Sequence, residues 1–120
     1  MHPHSKPDPL LLPDEATDHI WGSPSAPVTL VEYGDFECPA CCQAHGALKI
    51  ILSHFDAKLR FVFRHFPLRE VHPHAELAAE AAEAAGAQGK FWPMHELLFT
   101  NSPHLKEKKL LDYAAQLELD

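Results

Sequence analysis

The chain has 120 residues, 46% hydrophobic and 22% charged, with 11 Pro, 5 Gly, 10 His and 3 Cys. That length points to one domain around one modest core, and the composition is not that of a disordered chain beyond the first residues. The formal net charge of −7, without a basic run, argues against a nucleic-acid or anionic-membrane partner, and no apolar run approaches the roughly 20 residues of a membrane helix.

Residues Met1 to Ala16 hold Pro3, Pro7, Pro9 and Pro13 and read as a flexible arm, 1–17, with His2 and His4 as solvated side chains. No basic n-region precedes an apolar h-region, so no secretory signal is visible. That favours a cytoplasmic protein, with a processed periplasmic or extracellular form as the alternative. Pro27 to Tyr33 is β-branched and aromatic, with apolar residues on both parities, which predicts a central parallel strand buried on both faces. Pro39 to Phe55 reads as a helix with Pro39 in its first turn and Ala44, Ala47, Leu48, Ile51 and Leu52 at helical spacing. Leu59 to Phe66 is a second strand, stopped by Pro67. Strand, helix and strand at this spacing make a βαβ unit over 18–67. The rest, 68–120, reads as helical: His74 to about Ala85 with Glu76, Glu80 and Glu83 on one face, Phe91 to Thr100, and Lys106 to Leu119 with Leu110, Ala114 and Leu117 inward. Gly86 and Gly89 offer helix stops.

All three cysteines lie between Cys38 and Cys42, which is a site and not a set of staples. Cys38 and Cys41 stand at i and i+3, on one helix face and within disulfide reach. Cys38 sits at the helix N-terminus, where free N–H groups and the helix dipole favour a thiolate. It is the more exposed of the two and so the attacking nucleophile; Cys41 resolves the mixed disulfide. Zinc sites also use Cys-x-x-Cys, and a site of Cys38, Cys41, Cys42 and His45 is the competing reading. Opening a helix directly after a strand favours redox chemistry, which needs no metal and no cofactor. Glu32, on the parity of Val28 and Leu30, is expected beneath the dithiol with a raised pKa, placed to take the Cys41 proton. Exposure, or pairing with an arginine such as Arg64, is its bland alternative. Cys42 is expected as a small buried filler, with an accessory resolving thiol as the other reading. Asp35 and Glu37 are taken as solvated turn residues, and Arg64-His65 and His72-Pro73-His74 as turn and helix-entry chemistry, not metal ligands. Trp21, Phe36 and Trp92 are either an apolar rim or core.

The run Thr29-Leu30-Val31-Glu32-Tyr33-Gly34-Asp35-Phe36-Glu37-Cys38-Pro39-Ala40-Cys41, continued by Phe61 to Leu68, His72 to Ala82 and Gly89-Lys90-Phe91-Trp92, resembles the DsbA-like branch of the thioredoxin-fold oxidoreductases. The resemblance covers about residues 18–120. It implies an α/β architecture, a thioredoxin-like βαβ half followed by an α-helical insert. It also implies Cys38 as nucleophile, Cys41 as resolving thiol and Glu32 as the buried acid, with Pro39 and Ala40 tuning the redox potential. The family's C-terminal ββα part, with its cis-proline, has no counterpart up to Asp120. The expected function is thiol–disulfide exchange on protein thiols or disulfides, with a redox partner protein or glutathione as electron partner. A redox-incompetent binding module and a glutathione-linked isomerase or transferase are the competing classes. A two-stranded sheet would expose an edge, which predicts a homodimer.

Overall fold

A computed structural model describes residues 12–120. In chain order these form β1 (His19–Trp21), β2 (Val28–Gly34), α1 (Pro39–Phe55), a 3-10 turn (Asp56–Lys58), β3 (Leu59–His65), α2 (Ala75–Ala87), α3 (Phe91–Asn101) and α4 (Glu107–Gln116). The sheet order is β1-β3-β2. β2 and β3 run parallel, from Val28 opposite Leu59 to Gly34 opposite His65, and α1 connects them as the βαβ reading requires. The architecture is mixed α/β and thioredoxin-like.

Three expectations are corrected. The sheet has a third strand, because β1 pairs antiparallel with β3, His19 opposite Phe63. The central strand is therefore β3, not β2. Phe61, Val62 and Phe63 are fully buried, whereas Val28, Leu30 and Tyr33 of β2 are exposed, since β2 forms the outer edge of the sheet. Third, the end of the supposed arm is tied down. Asp18 caps a turn begun by Asp14, and Arg64 donates to both Asp18 carboxylate oxygens (2.9 and 2.8 Å) and to the Leu12 carbonyl (3.1 Å). His2, His4 and the rest of the arm up to residue 11 lie outside the described residues.

One hydrophobic cluster draws on both halves of the chain: Phe36, Leu48, Phe61 and Phe63 with Ala78, Ala82, Ala85, Phe91, Met94, Leu98, Leu105, Leu110 and Tyr113. The alanine face of α2 brings that helix close to its neighbours, and its exposed face carries Glu76, Glu80 and Glu83. Gly86 lies inside α2; the helix stops at Gln88, before Gly89 with φ +75°, the left-handed geometry glycine adopts without strain.

At the centre of the core sits His95, 3% exposed. Its ring lies 4.6 to 5.8 Å from those of Phe36, Phe63, Phe91, Trp92 and Phe99, and its Nε2 is buried without a hydrogen-bond partner. Burial, reinforced by neighbouring His45, pulls its pKa down to about 3. The fold thus holds His95 neutral while the unfolded chain protonates it near pH 6.5. The unfolded state binds the extra proton, so stability is full above pH 6.5 and falls on acidification, by at most about 1.4 kcal/mol per pH unit from this group. Urea unfolding between pH 7 and pH 5 should show this decline, and His95→Phe should flatten it; an equally steep decline in the variant would contradict the assignment.

Candidate active site around Cys38 and Cys41

β2 ends at Gly34, where a side chain has no room: a Cβ would fall 2.3 Å from Cε2 of the buried Phe63. The chain then turns through Asp35, Phe36 and Glu37 into α1. Phe36 is the plug, 1% exposed, with its ring 5.2 Å from Phe63 and 4.7 Å from Phe99. Cys38 is the N-cap residue of α1, extended at φ −75° and ψ 121°, and Pro39 opens the first turn. The Cys38 side chain makes no capping hydrogen bond. Its N–H donates to the Asp35 carbonyl (3.1 Å), and its carbonyl accepts the first helical bond from Cys42 (3.0 Å).

The three cysteines are free thiols, each partly buried. Burial, followed by the neighbouring Cys38 sulfur and the charge of Glu32, pushes the Cys41 thiol up to about 11 against the opposing pull of the Asp35 backbone. The Cys41 thiol thus answers electrostatically to both Cys38 and Glu32. The Glu32 carboxyl is itself half-buried, with its pKa raised by desolvation. Arg64 does not neutralise it. Arg64 pairs with Asp18 (2.8 Å) and donates to the Tyr33 hydroxyl (2.7 Å), and both Arg64 and Tyr33 lie on the sheet face opposite Glu32, because side chains alternate along a strand. Cys42 points elsewhere: its sulfur donates to the Phe36 carbonyl (3.5 Å) and packs against the core, as a filler does.

Among the described residues, Cys38, Cys41, Cys42 and His45 supply no three donor atoms close enough to share an ion, and His45 pairs with Glu96 on α3 (2.7 Å).

The solvated reading of Asp35 and Glu37 is also corrected. Asp35 is 3% exposed; its carboxylate accepts from the Glu37 and Leu68 N–H groups (2.8 and 3.0 Å) and from His72 Nδ1 (2.7 Å). Glu37 accepts from both the N–H and Nδ1 of His74 (2.9 Å each). Two carboxylate–imidazole pairs thus clamp the segment before Cys38 to the loop before α2. The available signal was spacing: Asp35-x-Glu37 matches His72-x-His74, residue for residue. Both Asp35 oxygens accept hydrogen bonds, and an asparagine would turn an NH2 donor against one of those donors, so Asp35→Asn should lower stability at pH 7 by on the order of 2 kcal/mol. Combined with His72→Gln the losses should fall short of additive in urea unfolding; simple additivity would show that the two residues are not coupled.

Comparison with known proteins agrees with this geometry. A family model described as Thioredoxin matches residues 14–120. The solved thioredoxin-like oxidoreductase from Silicibacter pomeroyi DSS-3 superposes with a TM-score of 0.77 at 32% identity, covering 86% of this chain and 58% of that one. The alpha-DsbA1 structure from Wolbachia pipientis gives 0.77 at 25% identity, covering 92% and 58%. A curated relative of far greater length, Na(+)/H(+) antiporter NhaA 1 of Salinispora arenicola, is 54% identical over 112 residues; the match spans 92% of this chain and 17% of the relative. With a family model matched over residues 14–120 and solved oxidoreductases of the same fold superposing on most of the chain, the chain belongs to the thioredoxin family, on the DsbA-like branch whose fold it shares.

Proposed function

We propose that the chain catalyses thiol–disulfide exchange on protein thiols or disulfides through Cys38 and Cys41. The observation that carries this reading is the state of Cys41: a partly buried thiol, pushed up to about 11, that feels both the Cys38 sulfur and Glu32. Such a thiol does not ionise alone near neutral pH, which is what a resolving cysteine needs a base for. In the reducing direction, the Cys38 thiolate attacks a substrate disulfide and one substrate sulfur leaves as a thiolate. Glu32 then takes the Cys41 proton as that sulfur attacks Cys38. The Cys38–Cys41 disulfide forms, the second substrate sulfur is released and takes up the proton, and two electrons have passed to the substrate. Run backwards, the same steps oxidise a substrate dithiol. Glu32 is suited to the task because its own pKa is raised, closer to that of the proton's origin.

For partners we propose protein thiols and disulfides, with a redox partner protein or glutathione restoring the pair. A second copy of the chain along the outer edge of β2, beside the exposed Val28 and Leu30, belongs to the same proposal. Sequence kinship with the antiporter relative suggests that a module of this type also operates within much longer chains. Ion translocation is not proposed for this segment, since no helix among the described residues is long and apolar enough to cross a membrane.

Insulin reduction and the oxidative refolding of a reduced substrate protein test the proposal. The wild-type chain should accelerate at least one of them, and Cys38→Ser should fall to background; equal rates would remove the redox assignment. Glu32→Gln should slow release of the mixed disulfide about a hundredfold. It should also stabilise the fold at neutral pH, because a carboxyl with a raised pKa loses stability as pH rises through it. An unchanged release rate would take Glu32 out of the mechanism.

A further inference from the structure

The sequence reading named none of His19, His65 and Glu83 as metal ligands, yet these three donor groups, which the thiol chemistry does not use, meet elsewhere in the fold. His19 comes from β1, His65 from the end of β3 and Glu83 from α2. The ring nitrogens of the two histidines and a carboxylate oxygen of Glu83 all lie within 4.8 Å of one another. Glu83 Oε2 faces His19 Nε2 and, at 3.2 Å, His65 Nε2. From these residues we propose a divalent transition-metal site, best suited to Zn²⁺.

Two imidazole nitrogens and one carboxylate form the donor set of open zinc sites, with the fourth position left to water. The ligands are held before any ion arrives. The His19 ring stacks on Phe91 at 3.5 Å and 4°, and the antiparallel pairing of β1 with β3 fixes its distance from His65. His65 is set among Phe36, Phe63 and Phe91, with ring centroids 5.4 to 6.0 Å away. Its Nδ1 is buried without a partner, so Nε2 is the nitrogen it can offer. The two imidazole side chains are mostly sheltered, at 24% and 20% exposure, while Glu83 is 53% exposed, which gives an ion a way in. A bound ion would tie β1, β3 and α2 together beside Phe36, at the base of the turn that carries Cys38.

The test uses the full chain with Cys38 and Cys41 oxidised to their disulfide, so that those thiols cannot supply ligands. Zinc titration by calorimetry, with metal analysis after gel filtration, should show one ion per chain. Cobalt should report a nitrogen and oxygen ligand set without thiolate charge-transfer bands. Glu83→Gln, a substitution at an exposed position, should weaken zinc binding at least tenfold, and His19→Gln should do the same. Absence of stoichiometric binding would overturn the site. So would binding undiminished in Glu83→Gln, or binding confined to the reduced protein.

Discussion

Much of the structure depends on one buried charge, the carboxylate of Asp35. It lies where the chain leaves β2 and enters α1, and it collects three hydrogen bonds, from its own turn, from Leu68 and from His72. Its backbone meanwhile helps set the helix start, its carbonyl taking the Cys38 N–H. Removing a carboxylate from water is affordable only when its lone pairs are filled. Filling them here requires the loop before α2 to return to the turn before α1. The βαβ half and the helical half are thus joined at the place where the thiols are presented, and Phe36, one residue along, locks that junction into the common core.

The electrostatics of the dithiol follow from the edge position of β2. On a fully buried strand Glu32 would be stripped of water altogether; on the edge it is half-buried, with its pKa raised by desolvation. Cys41 lies just far enough inside α1 to be desolvated as well. A hidden thiol and a partly hidden carboxyl together favour sharing a proton over ionising separately. Cys38 stands at the helix end with its side chain uncommitted to any cap.

The helices, β2, β3 and the dithiol were legible because each rests on local pattern: apolar periodicity, a proline in a first turn, a Cys-x-x-Cys at a strand-to-helix step. What was not legible rests on long-range pairing. β1 is three residues, too short for any alternation to show, and its presence moved the centre of the sheet from β2 to β3. The composition held a clue that periodicity does not read. Many of the ten histidines answer to particular carboxylates far along the chain: His72 and His74 to Asp35 and Glu37, His45 to Glu96, His19 and His65 to Glu83. His95 is different, kept neutral inside an aromatic shell. Charged residues beside Cys38 look solvated in a sequence because their partners, 37 positions on, leave no local trace.

The central claim is that Cys38 attacks and Cys41 resolves, with Cys42 a bystander packed under Phe36. Trapping tests it most directly. Cys41→Ser should accumulate a mixed disulfide when mixed with a disulfide-bonded substrate protein, and peptide mass spectrometry should locate that bond at Cys38. A stable adduct at Cys42, or no adduct at all, would contradict the account.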